Sequence, residues 1–562
     1  MRWLEYIVFL VLVVGLAQPV GIYLARVFEG KWTFLDPLFR PFELLLHRMM
    51  GVRSRHEMSA RRYTQCFLLF SAAGTVGLFV LLLAQRSIPG GPSARYLTTP
   101  MTWDLAVNTA ISFSTTTTWQ AYGGETTLRY WTQLVGLVSQ NFLAGAAGLA
   151  LGIAFIRGFA RERSPTVGNF WVDLIRALLW VLLPVALVGS VLLMWQGVPL
   201  NMAPYTEAHT VEGGVQTIAQ GPVDALEFIK NLGTNGGGFF NANGAHPYEN
   251  PTPLTNFLGM LAIAVLPASL AITFGEITQR PRAGWILLAV MVVLFIGGLV
   301  VCDVAEAATP PQLAGFHVTG GNMEGKEVRF GIGGSVLAAV VTSNGATGSY
   351  NSMHGSYQPA GVLVPLVNML LGEVIFGGLG TGLAGMVMTA LVAVFLGGLM
   401  IGRTPEYLGK KITAAETRFA VLYALLTPKV ILVLTALALS MNAGRAGLVT
   451  NGGARGFTEV LFAYASSMAN NGQNMAGLNA NSVFYNVTTA IAMLAGRYGL
   501  AALAMALAGR FAAQRRWPTT MGTLPSDSVM FGVLLLGTIL LVGALSFLPA
   551  LALGPIAEAL QR

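Results

Sequence analysis

Ten long apolar segments constrain this chain more than any other feature of its sequence. Each has about 20 residues or more, the length that a helix needs to cross a bilayer. Of the 562 residues, 54% are hydrophobic and only 10% are charged, whereas about a quarter are charged in soluble domains. The sequence therefore predicts an all-α polytopic membrane protein, a single transmembrane domain over 1–562, with spans at 3–28, 65–85, 129–157, 170–196, 254–277, 283–302, 366–399, 415–441, 482–510 and 527–551.

Basic residues are unevenly divided between the two sides of these spans. Segment 31–62 carries seven Lys and Arg, whereas only Arg2 precedes the first span. The alternate connections on the side of 31–62 hold 19 in total, against about 10 on the other side. Because basic loops stay in the cytoplasm, the N-terminus is predicted to lie outside. These loops explain the net charge of +8, so we expect no nucleic-acid partner.

Four connections on the predicted outer side share one pattern. Each has a short amphipathic segment, too short to span a bilayer, followed by a run of small polar residues. Irregular backbone at membrane depth is tolerated only where protein buries it or where it lines a wet cavity, so each unit is predicted to enter the membrane and turn back. The half-helices are predicted at Thr102–Ser114, Val223–Leu232, Ser335–Val341 and Thr458–Met468, and the polar runs at 115–120, 234–238, 342–346 and 469–473.

The recurrence of this unit every 110 to 130 residues or so predicts an internal repeat. Four helix, re-entrant pore loop, helix repeats would surround one pseudo-fourfold axis. The predicted repeats are 65–157, 170–277, 283–399 and 415–510, with extra helices at 1–28 and 527–551.

The loop tips offer backbone carbonyls, hydroxyls and amides, but no carboxylate. Half-helices whose C-terminal ends face one axis place partial negative charge there, which favours a cation. Because a ring of Asp or Glu would be expected for a divalent ion, the tips favour a monovalent one. The predicted ion-binding residues are Thr115, Thr116, Thr117, Thr118, Thr234, Asn235, Gly236, Gly237, Thr342, Ser343, Asn344, Gly345, Ala469, Asn470, Asn471 and Gly472.

Three further residues are predicted to support the pore or to gate it. Gln120 ends the first polar run. Arg497 lies in the span after the fourth loop, where a cation is placed to brace carbonyls or to keep the site from overfilling. Glu373 lies in a glycine-rich stretch, 372–385, which predicts that 366–399 is an interrupted helix forming a gate beneath the third loop. The match of 320–326 to a phosphate-binding loop is attributed to chance, because Glu327 replaces the required Ser or Thr.

Several long strings of residues carry a resemblance to a known family. They are Trp119-Gln-Ala-Tyr-Gly-Gly-Glu-Thr-Thr127, Gly233-Thr-Asn-Gly-Gly-Gly-Phe-Phe-Asn-Ala-Asn243, His246-Pro247, Glu249-Asn-Pro-Thr252, Asn351-Ser-Met-His354, Gly402-Arg-Thr-Pro-Glu-Tyr-Leu-Gly-Lys410 and Ala476-Gly-Leu478. With them the chain resembles, over nearly its whole length, the potassium-binding, channel-like subunits (KdpA) of bacterial potassium-importing P-type ATPases. That family is similar to the Trk, Ktr and HKT potassium transporters, which carry four helix, pore loop, helix repeats.

The chain departs from the family pattern at three of the four tips. Thr115-Thr-Thr-Thr118 lacks two asparagines that the family usually has, and the fourth tip reads Ala469-Asn-Asn-Gly472 rather than three asparagines before the glycine. The third tip has extra residues between Gly345 and Asn351. Because backbone carbonyls survive such exchanges, we expect potassium selection to persist.

The resemblance implies a potassium ion at the filter residues and no covalent cofactor. It implies a non-catalytic subunit of an ATP-driven potassium importer in the bacterial inner membrane, and the chain has no Asp-Lys-Thr-Gly phosphorylation motif. The implied partners are a P-type ATPase catalytic subunit, a small single-span subunit and membrane lipid. The resemblance leaves open whether a further short membrane peptide is also a partner.

Two other functions are weighed against this one. The first alternative is a free-standing Trk-like potassium channel gated by a soluble partner, and the second is a sodium- or proton-coupled symporter, which intramembrane carboxylates in inverted repeats would favour. For a pump subunit the cytoplasmic exit must be closed. The resemblance implies that the ion leaves sideways, and this path is expected near 366–399, with Arg403–Arg418 helping to dock the partner.

Overall fold

The computed structural model describes residues 2–88, 91–316, 320–400, 402, 405–517 and 525–561, so that Arg403 lies outside the described residues. Most of the chain is helical. In chain order the helices are α1 (Arg2–Phe28), α2 (Asp36–Met49), α3 (Ala60–Ser87), α4 (Trp103–Ser114), α5 (Thr132–Ala160), α6 (Phe170–Trp195), α7 (Asp224–Leu232), α8 (Pro253–Ile277), α9 (Pro281–Ala307), α10 (Gly331–Asn344), α11 (Pro359–Leu370), α12 (Thr381–Met400), α13 (Ala414–Ser440), α14 (Gly453–Ala469), α15 (Val483–Ala513) and α16 (Val529–Leu560).

Ten of these helices, in the part of the chain that the structure describes, are long and apolar enough to cross a membrane, as the sequence predicts. The other six are α2, α4, α7, α10, α11 and α14. Two antiparallel hairpins complete the fold: β1 (Thr206–His209) pairs with β2 (Val215–Ile218), and β3 (Glu406–Tyr407) pairs with β4 (Lys410–Lys411).

Two long helices form the centre of the bundle. In the most apolar stretch of each helix, 83% of the residues are buried in α5 and 78% in α8, against only 22% in α3 and α13. The helices α5 and α8 follow the first and second re-entrant loops along the chain. The centre of the molecule therefore lies directly behind the loops, and α3 and α13 leave most of their side chains on its outer surface.

Small residues let the N-terminal helix approach this centre closely. A first side-chain carbon at Gly21 of α1 would lie 2.7 Å from Cβ of Ile272 and 2.8 Å from the carbonyl oxygen of Ser269, both on α8. The Thr273 hydroxyl donates to the Gly21 carbonyl at 3.1 Å. Close backbone approach and hydrogen bonds between helices are how spans associate where lipid is as apolar as the helix surface.

The interruption predicted within 366–399 is present. Helix α11 ends at Leu370, α12 begins at Thr381, and the residues between them are not helical. Four residues of this broken segment, 371–380, have left-handed backbone: Gly372, Glu373, Phe376 and Gly380. The predicted span is thus divided between two helices. Of these two, only 381–400 is long enough to cross a membrane, and it is counted among the ten spans.

A basic hairpin ties two helix ends together on the side of the bundle away from the re-entrant loops. The ammonium of Lys410 on β4 donates to the carbonyls of Gly158, Arg161 and Phe511. These carbonyls lie at the C-terminal ends of α5 and α15, where the last turns leave carbonyls unpaired and partially negative. One lysine therefore caps both helices.

We predict that Lys410→Met lowers the thermal midpoint of the protein in detergent. Hydrogen bonds to charged groups contribute about 1.5 to 3 kcal/mol, and the substitution leaves three buried carbonyls without that donor. Lys411→Met is the matched control, because the Lys411 ammonium lies over the ring of Trp517, 4.2 Å from its centroid. A surface contact of that kind is worth about 0.5 to 1 kcal/mol. Equal losses of stability in the two variants would contradict the capping role.

Candidate ion-binding site

The four re-entrant loops leave α4, α7, α10 and α14 by the same backbone turn. Just past each helix one residue has a left-handed conformation: Thr116 (φ 63°), Thr234 (φ 50°), Ala346 (φ 50°) and Asn470 (φ 57°). The amide of the next residue then donates back to a helix carbonyl: Thr117 to Ser112 (3.0 Å), Asn235 to Lys230 (2.9 Å), Thr347 to Thr342 (3.2 Å) and Asn471 to Ser466 (2.9 Å). This shared turn aligns 116–118 with 234–236, 346–348 and 470–472, which we call the aligned runs.

The first two aligned runs contact their neighbours in order. The Thr118 hydroxyl in the first run donates to the carbonyl of Asn235 in the second. Gly236 at the end of the second run lies against the third. A side-chain carbon at Gly236 would lie only 2.3 Å from the amide nitrogen of Gly348, so no other residue fits there without displacing the neighbouring loop.

The third and fourth aligned runs complete the circuit. A side-chain carbon at Gly348 would lie 2.8 Å from the Asn471 carbonyl oxygen, and one at Gly472 would lie 2.1 Å from the Thr117 carbonyl oxygen in the first run. The side-chain amide of Asn470 also donates to the Thr117 hydroxyl at 3.0 Å. Each run thus contacts the next, and the fourth contacts the first. We call this closed arrangement of the aligned runs the ring.

The third set of predicted ion-binding residues is displaced along the chain. Thr342, Ser343 and Asn344 lie in the last turn of α10, and Gly345 caps that helix, so the run that enters the ring is 346–348. The tip was placed at 342–346 because a small polar run ending in glycine looks like the other tips, and ion binding by these residues stays a prediction. The half-helix also continues beyond its predicted end at Val341, and the residues after Gly345 that looked like an insertion are the loop itself.

The other predicted residues lie in the ring or beside it. Thr115 and Ala469 lie just before the aligned runs, and Gly237 lies just after one. None of the four runs, Thr116-Thr-Thr118, Thr234-Asn-Gly236, Ala346-Thr-Gly348 and Asn470-Asn-Gly472, contains a carboxylate. They are buried and rich in neutral oxygens, which can replace the hydration shell of a monovalent cation.

A cavity of about 860 Å³ lies at the mouth of the ring. Residues that follow all four aligned runs line it, among them Gln120, Asn241, Tyr350 and Asn474. Polar side chains make up much of its lining, among them Gln120, Asn241 and Asn474.

Gln120 joins the first loop to the second. Its side-chain oxygen accepts a hydrogen bond from the amide of Gly238 at 2.8 Å. The contact lies just past the aligned runs, where the loops open into the cavity. Gln120 thus supports the second loop rather than adding an oxygen to the ring.

The broken segment 371–380 lies against three of the loops. The Glu373 carboxylate accepts from the side-chain amide of Asn471 at 3.0 Å, and the amide of Leu379 donates to the Thr234 hydroxyl at 3.0 Å. A side-chain carbon at Gly378 would lie 2.8 Å from Cβ of Ala346. The broken segment was predicted to lie beneath the third loop, and it also contacts the second and fourth loops.

Arg497 lies deeper than the ring. Its guanidinium donates to the carbonyl of Ala144 on α5 at 3.2 Å and packs where α5 meets Leu379 of the broken segment. The predicted brace on loop carbonyls is not among its contacts in the described residues. Arg497 instead joins α15 to the central helix beside the interruption.

Sequence reasoning missed a buried charged cluster behind the second loop. Lys230 contacts Glu249 at 2.5 Å, Glu227 at 2.7 Å and the side-chain oxygen of Asn243 at 3.2 Å. The signal was present in the sequence, because a lysine in a short helix entering a membrane is costly unless it is paired. Its partner Glu249 lies in the string 249–252, which was used only for the resemblance.

Burial suppresses charge at two titratable side chains near the mouth. Burial, with Lys326 nearby, lowers the pKa of His354 to about 3, so this imidazole is neutral at physiological pH. Burial also raises the pKa of Glu125, whose carboxylate accepts from the amide of Asn241 at 3.0 Å. The mouth therefore offers mainly neutral polar groups and becomes slightly less negative as the pH falls through the pKa of Glu125.

The fold is similar to that of a solved potassium transporter. The potassium transporter TrkH from Vibrio parahaemolyticus superposes with a TM-score of 0.53 at 15% identity, covering 89% of this chain and 97% of TrkH. At that identity the likeness concerns the fold alone.

Comparison of sequences gives much closer relatives. Proteins named potassium-transporting ATPase potassium-binding subunit match from Methylorubrum extorquens at 49% identity and from Bradyrhizobium diazoefficiens at 48%, each over 99% of this chain and 97% of the relative. One from Acidobacterium capsulatum matches at 47%, over 99% and 98%. The family profile described as "Potassium-transporting ATPase A subunit" matches residues 7–560. The chain that carries the ring, the broken segment and the ten spans therefore belongs to the KdpA family of potassium-transporting ATPase A subunits.

Proposed function

We propose that this chain binds potassium at the ring and passes it across the membrane as the potassium-binding subunit of an ATP-driven import complex. The observation that carries the proposal is the closed ring of four aligned loops without a carboxylate, at the base of a polar cavity. Family membership and the names of the curated relatives support the complex and the ion. In this proposal 65–157, 170–277, 283–399 and 415–510 are four repeats around a pseudo-fourfold axis through the ring.

The chemistry of the ring favours a monovalent cation. The helices α4, α7, α10 and α14 end at the ring, so the partial negative charges of their C-terminal ends add to the carbonyls and hydroxyls of the loops. An anion is repelled by that potential. A divalent ion would lose far more hydration free energy than neutral oxygens return, and protein sites for such ions supply carboxylates.

The position in the membrane and the partners follow from the same proposal. The ring and its cavity face the outside of the bacterial inner membrane, and the N-terminus lies on that side, because the loops with most Lys and Arg belong in the cytoplasm. The chain has no motif for phosphorylation by ATP. A P-type ATPase catalytic subunit therefore supplies the energy, together with a small single-span subunit and a further short membrane peptide.

The broken segment acts as the gate in this proposal. It lies against three loops and places the Glu373 carboxylate close to the ring, although not in it. A carboxylate there lowers the energy of a dehydrated cation leaving the ring. The ion then turns sideways between helices towards the catalytic subunit, because a straight open path would release cytoplasmic potassium outwards.

Purification of the complex through a tag on this chain tests the proposal. We expect an ATPase chain to copurify and its ATP hydrolysis to rise with potassium at concentrations where sodium has little effect. A catalytic subunit carrying a substitution of its phosphorylated aspartate provides the background rate. Purification of this chain without an ATPase, or hydrolysis that potassium does not change, would contradict the proposed function.

Gly236→Asp is predicted to weaken potassium selection. The new side chain would meet the Gly348 amide and add a charge to the ring, so the potassium concentration for half-maximal hydrolysis should rise by about tenfold or more. Rubidium and sodium should be better tolerated. Gly213→Asp is the control, because Gly213 has φ 85°, close to the 87° of Gly236, but no atom within 4 Å of the new carbon. Unchanged ion preference in Gly236→Asp would remove Gly236 from the site.

This chain alone is predicted to be nearly impermeable to potassium. In vesicles loaded with potassium, its efflux should stay close to that of protein-free vesicles, because the broken segment closes the path below the ring. Addition of a potassium ionophore defines complete release. Rapid efflux through the chain alone would reject the closed exit and favour a free-standing channel.

A further inference from the structure

One position recurs in the four short helices directly behind the ring. Its backbone carbonyl accepts the amide of the aligned run that follows, as described above, and it is occupied by Ser112, Lys230, Thr342 and Ser466. In three of the helices the side chain is a short hydroxyl that also contacts its own loop. The hydroxyls bond to the Trp119 carbonyl (2.9 Å), to the Thr347 carbonyl and to the Gly472 amide (3.0 Å).

In α7, the second of the four short helices, this position is occupied by Lys230, whose side chain reaches a different set of groups. The side chains of Lys230 and Glu249 are both 0% exposed, and the ammonium contacts Glu249, Glu227 and Asn243. Its backbone carbonyl holds two loop amides, those of Asn235 and Gly236, at 2.9 Å each. Lys230 is therefore fixed to the loop at one end and to a buried polar cluster at the other.

The partners of this ammonium hold the same loop further along. Glu249 accepts the amide of Phe240 at 2.8 Å, and Asn243 donates to the Gly237 carbonyl at 2.6 Å. Asn243 also donates to the carbonyl of Gly348, in the third aligned run, at 3.3 Å. The cluster thus brackets Gly236 and Gly237 from both sides and reaches the neighbouring loop.

The second loop has more need of such bracketing than the other three. Gly236, Gly237 and Gly238 follow one another, with φ of 87° and 76° at the first two, and glycine has no side chain with which to fix its own backbone. In the other three loops, side-chain hydroxyls and amides of the aligned runs fix the backbone instead.

We propose that Lys230, Glu249 and Asn243 are positioning residues that set the ion preference of the ring by fixing the backbone of Gly236 and Gly237. The inference rests on the proposed function, since it assumes that the ring binds potassium. It requires all three members, because a buried carboxylate or ammonium without its partner is strongly destabilising to its surroundings. The loop carbonyls then lose the fixed spacing with which they distinguish potassium from rubidium and sodium.

The test measures ion preference and stability separately in the purified complex. For Lys230→Met we expect the half-maximal potassium concentration to rise about tenfold, which corresponds to about 1.4 kcal/mol of binding free energy. The ratio of the half-maximal rubidium and sodium concentrations to that of potassium should fall. Lys230→Arg, which keeps the charge, should retain part of the preference.

A second substitution keeps the inference testable if Lys230→Met does not assemble. Asn243→Gly removes the donor to Gly237 but accepts the left-handed backbone of Asn243, φ 51°, and it should also lower the ratio. Arg157→Met is the control, because it breaks a buried pair with Asp173, 2.6 Å apart, far from the ring. It should lose thermal stability and keep the wild-type ratio.

Two outcomes separate the inference from the proposed function. If hydrolysis by the wild-type complex does not respond to potassium, the proposed function fails. If the wild type responds, but Lys230→Met or Asn243→Gly keeps the wild-type ratio and loses only stability, as Arg157→Met does, then the cluster merely stabilises the fold and the inference is wrong.

Discussion

An unpaired backbone amide or carbonyl is costly wherever water is excluded, and the centre of this protein depends on how that cost is avoided. Four helices stop partway, and each stop leaves carbonyls and amides exposed inside the molecule. A left-handed residue in every loop turns the next amide back to its own helix. Side chains then join neighbouring loops: the Thr118 hydroxyl donates to the Asn235 carbonyl, and the side-chain amide of Asn470 donates to the Thr117 hydroxyl.

Charged groups are kept near the ring but out of it. Lys230 is paired behind the second loop, Glu373 is reached through the amide of Asn471, and Arg497 lies against α5. Neutral oxygens therefore line the ring, while fixed charges act on it through one intervening residue. In the proposed function, that separation would stabilise a cation in the ring without trapping it, because no carboxylate would coordinate it directly.

The sequence predicted the fold well because hydrophobicity and glycine act locally. The number of spans follows from segment length, and the interruption after Leu370 follows from the cost of glycine in a helix. The half-helix before the third loop was predicted to end too early, because small polar residues fit the last turn of a helix as well as a tip. The left-handed backbone of Ala346 and the hydrogen bond from the Thr347 amide to the Thr342 carbonyl identify the register, and no local pattern encodes it.

The charged cluster was missed for a different reason. Lys230 and Glu249 are partners across a loop, and the pairing depends on a turn of glycines whose path cannot be read from propensity. A lysine in a short helix that enters the membrane does indicate that it has a partner of opposite charge. Which nearby carboxylates pair with Lys230 depends on the three-dimensional structure.

Closure of the ring also sets the order in which the protein can be completed. The hydrogen bond from Asn470 to Thr117 joins residues separated by 353 positions. During synthesis the first loop must therefore wait in the membrane, with one side unpartnered, until the last of the four has been inserted. A chain truncated before α14 would retain most of its spans and yet have no complete ring. The ring can thus be completed only late in synthesis, after α14 and its loop have been made.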